Sequence, residues 1–375
     1  MVITNQTYQN PINLLLGEIY FYYTPILVNL GLVGNCLSVF VFFGTKLRHS
    51  SSSIYLGALA ISDIGFLITI FMAWLTPAGI DIFIRSGFCQ FFMYLGSLCS
   101  FLSVWFVVAF TVERFVAVRW PLRRQSLCTV TRAKATVIKL TVVAAFWCSP
   151  VLLFTKTYTE RSIIHGGNII TCDLNSDWKL WANIHNSIDA VLTFVLPFVM
   201  IVIFNTLIAR NIYRFNRTRR TLTIESDGSN KRGACSQSPR DRMPQIKVTK
   251  MLLLVSTTFF CLYTPSYVVR VITFVLDHQN HLWLTVAQQI CYQLFNTGFG
   301  INFVLYCASG QNFRRAMICM FTKRSSTGSN GTLIALADHE KPCEFTRNST
   351  KRLHSVDAQR KDSQEVQKIS INEGL

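Results

Sequence analysis

Asp63, within Leu59-Ala60-Ile61-Ser62-Asp63, is a carboxylate in the middle of a long apolar run, and Asn35, Ser103 and Asn302 lie inside three other such runs. An ionisable group at the centre of a membrane helix costs about 2.5–3.5 kcal/mol on insertion scales, so it needs a polar interior to receive it. A carboxylate beside hydroxyl and carboxamide oxygens can hold a Na⁺ ion, or it can be protonated and hydrogen-bonded. A purely structural polar contact between helices is the alternative.

A second group carries charge at a boundary. Glu113-Arg114 lies 25 residues beyond Cys89, about 37 Å of helix, so the two belong at opposite membrane faces. The adjacent Glu can hold the Arg, and breaking that pair frees a cation for another partner. The plainer alternative is an Arg that snorkels to lipid phosphate. Pro197 and Pro265 fall within apolar runs and interrupt the helical hydrogen-bond ladder locally. Phe259, Phe260 and Tyr263 occupy the turns before Pro265 and are either a packing element that rearranges or plain core.

Enzyme chemistry finds no foothold here. Asp63 and Asp189 are the deep carboxylates besides the boundary Glu113, and they fall at different depths; His165 and His185 make no metal motif with local carboxylates. A transporter is also disfavoured, because the two halves share no repeated spacing.

The elements that position these groups are apolar runs near 19–44, 54–80, 88–118, 134–155, 184–209, 248–276 and 283–308. Each reaches the roughly 20 residues needed to span a hydrocarbon core. Alternate connections collect Lys46 and Arg48, then Arg119, Arg123, Arg124 and Arg132, then Arg210, Arg214, Arg217, Arg219, Arg220, Lys247 and Lys250. The intervening ones are acidic or mixed, with Asp81, Glu160, Asp173, Asp177 and Asp277. The positive-inside rule therefore puts the N-terminus outside and the C-terminus inside. The expected fold is an all-α membrane protein, a seven-transmembrane helix bundle. Its parts are a short extracellular N-terminus (1–18), the helical domain (19–320, including a cytoplasmic loop at 211–246) and a disordered cytoplasmic tail (321–375). The N-terminal stretch reads as lacking a cleavable signal, since it has no basic n-region and no small-residue cleavage site.

The net charge of +17 raises nucleic acid as a partner. The excess sits beside membrane spans on one side, so anionic inner-leaflet lipid and cytosolic proteins are the expected partners, and nucleic acid is not. Of the 12 cysteines, Cys89 and Cys172 map outside, where the compartment is oxidising and no other partner is at hand, so they are expected to form a disulfide. Asn5-Gln6-Thr7 is a glycosylation sequon on the outer side.

Taken in order, these positions resemble the rhodopsin-like (class A) G protein-coupled receptors over essentially residues 19–320. Asn35 stands at the helix-one signature and Asp63 at the helix-two sodium-site Asp, with Glu113-Arg114-Phe115 in place of Asp-Arg-Tyr. Trp147 stands for the helix-four tryptophan, Pro197 for the helix-five proline, and Phe259, Tyr263 and Pro265 for the helix-six element. Asn302-Phe303-Val304-Leu305-Tyr306 resembles Asn-Pro-x-x-Tyr, and Cys89 and Cys172 stand at the family disulfide. Gln311-Asn312-Phe313-Arg314-Arg315 looks like the short amphipathic eighth helix, with Cys319 as its palmitoylation candidate. The resemblance implies no resident cofactor beyond an allosteric sodium ion at Asp63 and Ser103, and as partners a heterotrimeric G protein, arrestin and receptor kinases. Leu122 would insert into the G protein as an apolar knob, and Ser325, Ser326 and Thr327 offer phosphorylation sites.

Departures accompany the match. Tyr263 replaces a Trp, Asn205 a helix-five tyrosine, and Phe303 a proline, so the helix-seven kink is expected to be weaker or made otherwise. Gly96 stands where amine receptors carry an Asp, so a biogenic amine lacks its salt-bridge anchor, and Asn296 where light receptors carry the retinal lysine, which rules out covalent retinal attachment. With Gly96 and Asn296, the upper crevice is expected to include Asp189, His185, Arg270, Gln288 and Gln289. Asp189 would meet a cationic ligand group and Arg270 a carbonyl, carboxylate or amidated C-terminus, unless both simply bind their neighbours. Opposite charges on opposing walls favour a short peptide. The run 109–118 and the loop 127–134 resemble receptors for short neuropeptides, the thyrotropin-releasing-hormone-like group and invertebrate FMRFamide-type amidated-peptide receptors. A non-peptide class A ligand, or constitutive activity, is the alternative.

Overall fold

In lipid no water is at hand for backbone N–H and C=O groups, so a spanning apolar segment must satisfy them within its own helix. The computed structural model describes residues 11–161, 168–225, 239–275 and 282–325, and there the apolar runs are helices. They are α1 (Pro11–Gly44), α2 (Ser51–Leu75), α3 (Phe88–Arg119) and α4 (Val130–Cys148). Helix α5 runs as Lys179–Ala190, a π turn at Val191–Val195, then Leu196–Glu225. Helix α6 is Pro239–Val275, α7 is Leu282–Gly300 followed by Asn302–Ser309, and α8 is Gln311–Ser325. One compact unit covers Met1–Ala316 and a second Met317–Leu375.

Local chemistry sets the helix starts. The Thr129 hydroxyl accepts from the Arg132 N–H at the head of α4. Gly87 takes the left-handed φ of 86° before α3, where a side chain would be strained, and its N–H donates to Gln90 Oε1 at 2.7 Å. Helix α2 is buried on every side from Ser51 through Ala60, which makes it the interior member of the bundle. Helix α4 is the reverse: Ile138, Val142, Val143 and Phe146 are all exposed, as an apolar stripe facing lipid would be. Five segments are individually long and apolar enough to cross a membrane among the described residues: Leu14–Gly44, Ser51–Leu75, Phe88–Arg119, Val130–Phe154 and Ser176–Arg214. In α7, Gln288, Gln289, Gln293 and Asn296 dilute the apolar character on one face, and the break at Ile301 shortens it.

The core where α1, α2, α3, α6 and α7 meet holds Val28, Phe66, Leu67, Ile70, Cys99, Val104, Tyr263, Tyr267 and Phe299. After α4, strands β1 (Thr155–Arg161) and β2 (Asn168–Leu174) form an antiparallel hairpin in which Thr157 faces Cys172. The Cys89–Cys172 disulfide, with a Cα–Cα distance of 5.8 Å, ties β2 to the first turn of α3. In a chain-entropy account, closing the intervening 83 residues is worth about 4.5 kcal/mol.

Several boundaries differ from expectation. Helix α1 begins at Pro11, ahead of the apolar run expected from about 19. Helix α5 continues to Glu225 and α6 begins at Pro239, so much of the 211–246 loop is helical despite its lack of apolar periodicity. A helix already nucleated in the membrane gains one hydrogen bond per added residue and does not need an apolar stripe to continue. Helix α8 likewise runs past 320, to Ser325. The hairpin was not foreseen, and Pro25 sits inside α1, where its carbonyl accepts from Asn29 Nδ2 at 2.8 Å.

Candidate functional site

At mid-bundle, α2, α3 and α7 bring Asp63, Ser103 and Asn302 together. Asp63 is fully buried; its Oδ1 accepts from the Ser103 hydroxyl at 2.8 Å and its Oδ2 from Asn302 Nδ2 at 2.6 Å. Asn302 reaches it because α7 breaks at Ile301 and restarts there. At the same break the Phe299 carbonyl accepts from Asn35 Nδ2 at 2.8 Å. The helix-seven interruption is thus made without a proline. Phe303 fills the space that Gly34 leaves open, where a Cβ would lie 2.8 Å from the Phe303 Cβ.

Beside this cluster is a cavity of about 10 Å³, whose lining includes Ser103, Asn302, Tyr263 and Gly298. That is room for about one water-sized particle. Both donors to Asp63 are neutral, so the triad itself holds no cation. Ser103 and Asn302 line the cavity while Asp63 stands behind them, so a Na⁺ ion there would be held by Asp63 and Ser103 only with the carboxylate turned from its present donors, and it would supply a positive charge.

Above the cavity, aromatic rings connect α6 to α7. Tyr263 stacks on Phe259 at 4.1 Å between centroids and meets Phe295 edge-on at 4.7 Å; Phe299 stacks on Phe66 at 3.8 Å. Tyr263 lies against Gly298 so closely that a Cβ there would sit 2.4 Å from its ring. Pro265 lies two residues further along α6, and Pro197 two residues past the π turn of α5.

At the Arg114 end, Glu113 and Arg114 are buried and paired, Arg114 Nη2 to Glu113 Oε1 at 2.6 Å. The same oxygen accepts from the Ser51 hydroxyl at 2.5 Å. Ser51 was missed in the sequence; the signal available was the run Ser50–Ser53 at a membrane boundary. Arg114 also stands 5.7 Å from the Phe110 ring. Phe115 packs on Phe204 of α5 at 5.2 Å. Below, Leu122 is 82% exposed. In the same connection, burial and then Glu113 raise the Cys128 thiol, while burial and the Arg114 charge lower Arg124. Tyr306 is fully buried against Phe42 and Phe313, its hydroxyl without a hydrogen-bond partner among the described residues.

At the disulfide end, Asp189 Oδ1 accepts from Trp147 Nε1 at 3.2 Å, and His185 stacks on the Trp147 ring while its Nε2 meets the Trp147 carbonyl at 3.1 Å. Trp147, matched in sequence to a helix-four tryptophan, is here the partner of α5. Arg270 donates to Asn186 Oδ1 at 2.5 Å, and Gln288 Nε2 to Thr273 Oγ1 at 2.7 Å. Asp189 and Arg270 therefore each have a protein partner, the alternative raised for them in sequence. Thr193 links two elements, accepting from the Tyr267 hydroxyl at 3.0 Å and donating to the Asp189 carbonyl at 2.6 Å. Gly96 packs against Thr69 of α2, so it serves the α2–α3 contact. Gln289 Oε1 and both side-chain polar atoms of Asn296 are buried without a hydrogen-bond partner among the described residues. Cys319 lies in α8; Asn5, Ser326 and Thr327 lie outside the described residues.

A buried carboxylate at mid-depth, a paired Arg at one end and a group of hydrogen-bonded polar side chains toward the disulfide at the other form one arrangement. Residues 34–306 match the family described as "7 transmembrane receptor (rhodopsin family)". The chain belongs to this family. It is a multi-pass membrane receptor of the signalling type and not an enzyme. The thyrotropin-releasing hormone receptor of Gallus gallus is 26% identical over 308 residues, 78% of this chain and 75% of the relative. Its Homo sapiens counterpart is 27% identical over 312 residues, 78% and 75% of the two chains. The FMRFamide receptor of Drosophila melanogaster is 26% identical over 375 residues, 90% of this receptor and 62% of the relative.

Proposed function

We propose that the receptor sits in the plasma membrane with its N-terminus outside, binds a short amidated neuropeptide at the disulfide end, and activates a heterotrimeric G protein at the Arg114 end. The carrying observation is the Ser51–Glu113–Arg114 cluster, a buried cation paired with a carboxylate oxygen that also accepts from a serine hydroxyl. Releasing it when the inner ends of α5 and α6 separate would expose Arg114 beside Leu122 to the G protein. The peptide reading rests on the polar crevice of His185, Asp189 and Arg270, and on relatives whose names specify a releasing hormone and an amidated peptide. A ligand cation would share Asp189 with Trp147, and a ligand carbonyl would draw Arg270 from Asn186. Sodium at Asp63 would favour the resting arrangement. Arrestin and receptor kinases would act on the Ser/Thr-rich tail, Cys319 would carry palmitate and Asn5 glycan.

The test is G-protein dissociation in cells expressing the receptor, screened against short amidated peptides, their free acids, amines and lipids. A saturable response to an amidated peptide is expected. Silence across the amidated set at confirmed surface expression would overturn the ligand class, and a response to amines or lipids alone would replace it.

A further inference from the structure

Carboxamides on α7 are left unserved. Asn296 is 0% exposed, yet neither its Nδ2 nor its Oδ1 has a hydrogen-bond partner among the described residues. The Tyr292 hydroxyl approaches it without completing a bond of good geometry. Gln289 and Gln293 each bury Oε1 unpartnered among the described residues, while the buried Thr24 hydroxyl of α1 is approached by Tyr20. Folded interiors pair nearly all such atoms, because a buried group stripped of water and given nothing in return is costly. Several in one seam of the bundle point to something that is meant to enter.

Helical geometry says what the seam faces. At about 100° per residue, Asn296, Gln289 and Gln293 fall within an arc of about 60° on α7. One edge of that arc is fixed on α1 by the Tyr23–Thr297 hydrogen bond at 2.7 Å, the other on α2 by the Phe299–Phe66 stack. The lipid side is marked by the exposed Ile290 and Leu294. Tyr292 lies far round from them, on the side away from lipid, and Asn296 is one turn beneath it.

The seam is also neutral: α7 from Leu282 to Gly300 carries no Asp, Glu, Lys or Arg. Among the described residues, its unpartnered atoms are three carboxamide oxygens and one carboxamide N–H group. A primary carboxamide offers two N–H donors and one acceptor without charge and matches that set. A carboxylate would bring acceptors and a charge to a seam of acceptors. Rotating a glutamine amide changes which atom faces the ligand, but no rotation supplies a cation.

We propose that Asn296, with Gln289 and Gln293, forms a primary-carboxamide subsite beneath Tyr292 that takes the terminal –CONH₂ of an amidated peptide. The proposal rests on the peptide reading above and assigns one end of that ligand to helix seven.

The experiment is thermal unfolding of the full-length receptor in nanodiscs with N-acetyl-L-phenylalaninamide at about 10 mM, against the free acid and the N-methylamide. The primary amide is expected to raise Tm by about 3 °C, the N-methylamide less and the acid not at all. Asn296→Leu removes the unserved atoms at similar volume, so it should abolish the amide response without lowering the ligand-free Tm. Gln293→Leu, tested in parallel, should weaken the response should the first variant fold poorly. No shift with the amide, or an equal shift with the acid, overturns the subsite; so does a marked loss of ligand-free stability in both variants, the mark of structural water in the seam. Amide binding without any peptide-driven signalling would keep the subsite and sink the peptide-receptor reading. A peptide equally potent as amide and free acid would do the opposite.

Discussion

Replacing Ser51 with Ala removes one of the two contacts on Glu113 Oε1 and leaves the Arg114 ion pair in place. A hydrogen bond to a charged group contributes about 1.5–3 kcal/mol, and the low end applies because Arg114 still serves the same oxygen. If the contact exists only while the latch is closed, the loss raises the open-to-closed ratio about tenfold. A receptor open about 1% of the time would then be open about 9% of the time. The assay is basal nucleotide exchange in membranes carrying equal surface receptor, with no agonist. Ser51→Ala should raise basal exchange several-fold, and Ser51→Thr, which keeps the hydroxyl, should return it toward the parent level. Glu113→Gln serves as a reference for a weakened latch and should exceed Ser51→Ala. If Ser51→Ala matches the parent while Glu113→Gln is elevated, the serine is not part of the latch. If neither rises, the buried pair is structural and the argument from it fails.

Other perturbations separate the remaining contacts. Asp189→Asn preserves an oxygen for Trp147 Nε1 and removes only the charge, so agonist potency should fall about 10- to 100-fold with surface delivery unchanged; unaltered potency would remove Asp189 as the ligand's anchor. Asp63→Asn should abolish any rise in melting temperature that NaCl gives over choline chloride, and a persisting salt difference would place the ion elsewhere. Gly298→Ala pushes a Cβ to within 2.4 Å of Tyr263 and should cost about 1–3 kcal/mol of stability, relieved when Tyr263 is shortened to Leu; strict additivity of the two changes would refute the close contact.

The sequence made some of this legible and hid the rest for physical reasons. Asp63, Asn35, Ser103 and Asn302 could be grouped on paper because a charge in lipid must find polar company; the structure joins Ser103 and Asn302 to Asp63 but turns Asn35 to the Phe299 carbonyl. Cys89 and Cys172 were legible by compartment, since an oxidising side leaves few choices. Ser51 was not, because serines at a membrane edge are ordinary and nothing in the run Ser50–Ser53 says which one turns toward α3. Asp189 was read as facing a ligand because its depth was known, but its direction was not; only the fold shows Trp147 arriving from α4. Helix ends at Glu225 and Pro239 were hidden because polar helices outside lipid carry no stripe. The unserved carboxamide of Asn296 likewise appears only once its neighbours are in place.

The π turn at Val191–Val195 changes how helix five can be compared with anything else. Such a turn accommodates an extra residue within a helix, which rotates the residues before it by roughly 100° relative to those after it. Pro197 is the natural landmark of that helix, and counting backwards from it crosses the turn before reaching Asp189 or His185. Against a relative without the insertion, each position from Lys179 to Ala190 would be paired with a neighbour one place away, on a different side of the cylinder. Substituents transferred by number would land on the wrong wall. For the crevice half of helix five, equivalence has to be drawn in three dimensions, from Trp147 and Thr193 outward, before any ligand preference is borrowed.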